Sequence, residues 1–174
     1  MIRAVLIFNH KGKPRLTKFY EHFAEDVQQK IIKETFQLVS TRDDHVCNVL
    51  HAGVLVDDSD FKLIYRHYAT LYFVMCADTA ESELGILDLI QIFVEALDQC
   101  FDTVCELDLI FNSDKVHNIL NEIIMGGLVL ETSLQEILLR IEEQTKLEKQ
   151  MTNKIQSHLP EVHCLSVKPF IVYK

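Results

Sequence analysis

The side chains able to do chemistry in this chain are numerous but scattered. Eight histidines stand at positions 10, 22, 45, 51, 67, 117, 158 and 163. None pairs at i, i+4, the spacing that puts two ring nitrogens of one helix on one metal. His158, His163 and Cys164 have the donor types for a metal, but they fall in a tail containing Pro160 and Pro169, and the reading is against a site there. Five cysteines, Cys47, Cys76, Cys100, Cys105 and Cys164, are odd in number and form no CxxC pair. They read as small apolar residues of a reducing compartment. Cys100 and Cys105 lie across a helix end, where core packing is favoured over redox work. The adjacent acids Asp43-Asp44 and Asp57-Asp58 fall in expected turns and read as solvated. No P-loop, GxGxxG, GxSxG or HExxH motif occurs. The chain therefore reads as a non-enzyme, with no catalytic residue, metal or cofactor expected.

One local concentration of charge remains. His10, Lys11, Lys13, Arg15 and Lys18 cluster near the start of a chain whose formal net charge is −9. Two readings stay open for it: a solvated basic turn, or a docking spot for an acidic ligand. The overall negative charge excludes a general nucleic-acid binder, which needs an excess of Lys and Arg.

These side chains must be held by one main domain with a short appendage, as expected for 174 residues. Apolar residues make up 48% and charged residues 25%, the balance of a globular chain able to bury its own core. The opening apolar run ends at Phe8, too short for a signal-peptide core, and Leu84 to Leu97 is interrupted by Asp88, Gln91 and Glu95, so no membrane span is expected. No lipidation box is present, and the expectation is a soluble, intracellular chain.

Residues 2–8 are apolar on both faces and suit a strand covered on both sides. Gly12 and Pro14 mark a turn, and 16–20 returns as a second strand. Asp26 is the expected cap of a helix in which Val27, Ile31, Thr35, Leu38 and Val39 recur to Ser40. Strands are expected at 53–56, 61–67 and 68–77, with a turn at 57–60. A mostly buried helix begins near Ser82, its narrow polar stripe being Asp88, Gln91, Glu95, Asp98 and Asp102. Asp114 is the expected cap of the next helix, which Gly126-Gly127 stops, and Ser133 to Glu136 is a capping box for another. The amphipathic pattern fades after Thr145, so 1–149 reads as the domain and 150–174 as a tail. Strands followed by helices give an α+β class.

Several segments together resemble the small, or sigma, chains of the clathrin-adaptor family. They are the opening 1–9 and 12–20, then 62–73, 93–98, 104–112, 115–120 and 126–132, in one order over about Met1 to Lys149. Within the family, 51–60 and 82–90 are most similar to the sigma subunit of adaptor-related protein complex 3. The tail from about Gln150 matches no sigma tail.

The resemblance implies a longin-like fold: a five-stranded antiparallel sheet flanked by helices on both faces, with additional C-terminal helices. It implies one subunit of a heterotetramer, clasped by the N-terminal solenoid of a delta-type large adaptor chain beside a second large chain and a medium chain. Membrane association would be indirect, on Golgi and endosomal vesicles, in transport toward lysosomes. Sigma chains help bind the acidic dileucine signal [DE]xxxL[LI] of cargo tails. Carried over, Arg15 faces the acid of the signal, Leu71, Val94, Val104 and Leu107 line the pocket for its leucines, and Tyr68 lies nearby. The alternative is a free-standing longin-type regulatory or tethering module.

Overall fold

Ile2–Asn9 (β1) is apolar on both sides of its pleat because it separates two cores. The computed structural model describes residues 1–42, 48–51 and 61–158. In chain order β1 is followed by β2 (Pro14–Phe19), α1 (Glu25–Ser40), β3 (Val49–His51), β4 (Phe61–Tyr68), β5 (Leu71–Asp78), α2 (Glu83–Phe101), α3 (Glu106–Phe111), α4 (Ser113–Ile123), β6 (Ile124–Met125), β7 (Leu128–Val129) and α5 (Leu134–His158). The first five strands form an antiparallel sheet in the order β2-β1-β5-β4-β3.

Alternation along the strands decides what each helix covers. Ala4, Leu6 and Phe8 of β1, Leu63 and Tyr65 of β4, and Val74 and Cys76 of β5 pack with Ile31 and Val39 of α1. Val5 and Ile7, Ile64, and Phe73 and Met75 meet Ile90, Phe93 and Leu97 of α2, with Ile119 of α4 and Ile137 of α5 in the same cluster. This is the α+β sheet with helices on both faces that the sequence and the resemblance led us to expect. Burial pushes the Cys76 thiol up to about 12, which makes it an inert apolar residue as read from sequence. Cys105 is different: it is exposed and caps α3, so core packing does not describe it.

Several boundaries differ from expectation for local reasons. Helix α1 starts before Asp26, at cap position Ala24, because Phe23 is anchored edge-on against Phe19 and Gln28 donates to the Ala24 carbonyl. Glu25 and Asp26 instead sit in the first turn, where carboxylates suit the helix N-terminus. Likewise α4 is entered from Asn112, whose own N–H still donates to Asp108 of α3, so Asp114 lies inside the first turn. Tyr68 ends β4 instead of opening β5; Ala69 and Thr70 make the turn, with Ala69 at φ 52°. The expected strand at 53–56, the turn at 57–60 and the acids at 43–44 lie outside the described residues. The third strand described is β3, paired through Val49 with Ile64.

Gly126-Gly127 does more than stop a helix. With φ of 58° and 82° the two residues form the turn of the β6–β7 hairpin, the left-handed geometry that favours glycine. At the start of α5 the Ser133 N–H is taken by Glu131, 2.9 Å away, the acid before the helix and not the Glu136 of the expected capping box. Residues Glu142–Lys174 form a second unit, in which the helix continues to His158. Exposed Glu and Lys, good helix formers, carry it beyond the point where apolar periodicity fades, and Lys146 pairs with Glu142 at 3.6 Å.

An ionic latch ties β1 to the end of β5. Arg3 Nε donates to Asp78 Oδ1 at 2.5 Å. Burial raises the Asp78 pKa, but hydrogen bonds from Arg3 and the chain's amino group outweigh it and hold the carboxyl below its usual range. A depressed folded-state pKa stabilises the fold above the unfolded value and loses that contribution as pH falls through the folded one. Thermal unfolding across pH should therefore show Asp78→Asn destabilising at pH 7 but converging on the unsubstituted chain below about pH 4.

Candidate functional site

The cavity of interest lies where the β4–β5 turn, α2 and the loop from α2 to α3 meet. It is about 340 Å³ and lined by Tyr68, Ala69, Thr70, Leu71, Phe73, Val94, Asp98, Thr103, Val104, Cys105 and Glu106. Its apolar floor is the product of strand and helix periodicity: Leu71 and Phe73 are alternate residues of β5, and Val94 is one turn before Asp98 on α2. Leu71, Phe73 and Val94 are buried. Phe73 stands edge-on to Tyr68 and to Phe93, with ring centroids 5.8 and 6.1 Å away. Such pairs fix ring orientation as well as burying area.

Asp98, read from sequence only as part of a polar stripe, builds the opposite wall. Its main-chain carbonyl accepts from Thr103 N–H at 3.1 Å, and its carboxylate accepts from Val104 N–H at 2.9 Å. The loop is thus folded back over the end of α2, with Asp102 and Thr103 at φ of 50° and 91°. Lys115 closes the same helix end by donating to the Cys100 carbonyl at 2.7 Å. Helix α3 then begins with a capping box, in which Asp108 accepts from the Cys105 N–H at 2.9 Å. These contacts place Val104, Cys105 and Glu106 along one side of the cavity.

Two polar groups border it. On one side Arg66 Nη1 reaches the Tyr68 hydroxyl at 3.2 Å and Gln91 Oε1 at 3.0 Å. Tyr68 also donates to Gln91, which in turn donates to Glu95 at 2.7 Å. On the other side Arg15 donates from Nε to Glu106 Oε1 at 2.8 Å and from Nη2 to the same oxygen. Asn9 Nδ2 adds a third donor to that oxygen at 2.9 Å. Hydrogen bonds from Asn9 and then Arg15 hold the Glu106 carboxyl below the usual range, against a smaller opposing effect of desolvation.

Of the six residues expected from the resemblance, Tyr68, Leu71, Val94 and Val104 come together around the cavity. Arg15 is not in its lining but is joined to it through Glu106. Leu107 is elsewhere: 59% exposed, it shares one face of α3 with Ile110 and Phe111, at helical spacings of three and four. Sequence reasoning placed none of Asn9, Asp98 and Glu106 at the site. Asn9 carried a signal, since it sits at the turn into β2 and its side chain accepts from Lys11 and Lys13 N–H. Glu106 carried none, because its partner is on the other side of the chain's topology. Among the described residues, no group of three His, Cys, Asp or Glu is placed to hold a metal ion. No described helix is long and apolar enough to cross a membrane.

Comparison with known proteins agrees with this architecture. Residues 1–148 match the family model of the clathrin adaptor complex small chain. The chain is 64% identical over 149 residues to AP-3 complex subunit sigma-2 of Homo sapiens, covering 86% of this chain and 77% of that protein. It is 60% identical over 151 residues to AP-3 complex subunit sigma of Dictyostelium discoideum, covering 86% and 88%. A chain in a homology model of the full-length AP-3 complex in a stretched open conformation superposes with a TM-score of 0.68 at 42% identity, covering 88% of this chain and 99% of that one. A family match over most of the chain, close relatives in two distant organisms and the two-faced five-stranded sheet agree: the chain belongs to the clathrin adaptor complex small chain family.

Proposed function

We propose that this chain is the non-enzymatic sigma subunit of an AP-3-type adaptor heterotetramer, held by the N-terminal solenoid of a delta-type large chain. In that assembly it helps recognise acidic dileucine signals, [DE]xxxL[LI], in cargo tails bound from endosomes toward lysosomes, on Golgi and endosomal vesicles. The observation that carries the reading is an apolar cavity beside an arginine, the pairing of chemistries that such a signal presents. Two leucine side chains entering it would contribute roughly 1.5–3 kcal/mol each before the entropy of ordering the peptide is subtracted. Weak single contacts of this kind suit an adaptor that reads several signals at once. The exposed stripe of Leu107, Ile110 and Phe111, with Phe111 79% exposed, supports a partner, since a chain living alone rarely leaves such a patch in water.

The test has two steps. Co-expression with a delta-type solenoid is expected to yield a stoichiometric complex, while the chain alone aggregates. A stable monomer that ignores the solenoid would favour a free-standing longin module. The complex is then titrated with a fluorescent dileucine peptide. Arg15→Gln should weaken an acidic peptide about fivefold and leave its Gln analogue unchanged, because one charge-assisted hydrogen bond is at stake. Equal loss for both peptides would remove Arg15 from the acid's subsite.

A further inference from the structure

We infer that Glu106 occupies the arginine of the proposed signal site as a built-in competitor, so that an acidic ligand binds by carboxylate exchange and Glu106 sets how strongly acids are preferred. The inference rests on the dileucine reading and deepens it. Two Arg15 donors and Asn9 Nδ2 converge on a single oxygen, Glu106 Oε1. Glu106 also lines the cavity. The acid therefore sits where the resemblance puts the ligand's own acid, beside the pocket for the leucines.

The geometry makes the occupant both well held and releasable. Asn9 is 3% exposed and fixed by the Lys11 and Lys13 N–H groups, so it cannot follow Glu106 away. The Glu106 side chain keeps 26% of its surface in water, so it can be rehydrated once displaced. While Glu106 is in place, the arginine's charge is compensated and an incoming acid gains only the difference between two similar contacts. A ligand-competent arginine is then a minority state, and the observed affinity falls in proportion to its population. Leu71, Phe73 and Val94, which the leucines would meet, make none of the hydrogen bonds that are exchanged. The consequence is a site that reads its leucines strongly and its acid weakly.

Three proteins decide it, each assembled with the large-chain solenoid: the unsubstituted chain, Glu106→Gln and Glu106→Ala. Two peptides are titrated, identical in their leucines and carrying Glu or Gln at the acidic position. Both variants are expected to raise the preference for the Glu peptide over the Gln peptide about fivefold, whatever the change in lining does to the two affinities in common. Their preference for the acid should also fall more steeply with salt, since the arginine is now uncompensated. Glu106→Ala guards against a glutamine that stays docked through its own amide oxygen. Binding of both peptides with an unchanged acid preference in both variants overturns the exchange and leaves the dileucine reading standing. Failure of every assembled protein to bind either peptide overturns the dileucine reading, and the exchange with it.

Discussion

Val94→Asp should reduce dileucine-peptide affinity by about a hundredfold or more, roughly 2.7 kcal/mol, while the complex with the large chain still assembles. Val94 is 6% exposed and forms part of the apolar lining. A carboxylate there would have to lose its water as a leucine side chain entered, without any counter-charge. Its neighbour one helical turn on is Asp98, already engaged with Val104 N–H, so the new charge would meet a like charge. In the unliganded protein the cavity is open and the carboxylate can remain hydrated, which is why assembly should survive. Peptide titration of the purified complex is the measurement. Normal peptide binding by the variant would exclude Val94 from the binding pocket. Loss of the complex itself would show Val94 to be a core residue and nothing more.

Gly127→Ala should be among the most damaging single-methyl changes in the molecule. A Cβ at Gly127 would lie 2.3 Å from the Ile2 carbonyl oxygen and 3.0 Å from Met1 Cγ, at a φ of +82°. The first contact is with backbone and cannot be relieved by a rotamer. The same glycine accepts the Ile2 N–H at 2.9 Å, so the β6–β7 turn is laced to the start of β1. Separating them would sacrifice that bond as well as straining the turn. The expected loss is about 3 kcal/mol, read as a lower melting temperature of the co-purified complex than the unsubstituted chain gives. Gly126→Ala is the control: its φ is similarly positive at +58°, but nothing lies within 4 Å of the added carbon. It should cost only about 1 kcal/mol. Equal effects at the two positions would show that backbone strain matters and the close approach to β1 does not.

How much of this could be read before the structure depended on where the information sits in the chain. The double burial of β1 was visible because residues 2–8 are apolar on both faces, and recurrence at helical spacing, of apolar residues in α1 and of the polar stripe in α2, marked the two helices. Local hydrogen bonding moved the caps: Asp26 and Asp114 are good capping residues, but the chain enters each helix earlier through Ala24 and Asn112. Helix α3 has six residues and three exposed apolar side chains, so no amphipathic stripe betrays it. Tyr68, Leu71, Val94 and Val104 could be gathered only by resemblance, because an apolar cavity wall and an ordinary core have the same periodicity. The Arg15–Glu106 pair was out of reach for another reason. It joins residues 91 positions apart, and neither spacing nor composition encodes which strand end a loop will meet.

The strand order has a consequence for biosynthesis. In the sheet, β1 has β2 on one side and β5 on the other, with Ile7 facing Phe73 and Asn9 facing Leu71. A ribosome delivers β1 and β2 first, then α1, β3 and β4, and only afterwards the strand that completes β1. At ordinary elongation rates the nascent hairpin therefore waits on the order of seconds with one long apolar edge open. Few residues of β1 are polar enough to discourage a wrong neighbour, so this interval is where strand-edge aggregation would begin. Chain yield should accordingly respond to slower translation before β5 more than to slower translation after α2, when the sheet has already closed.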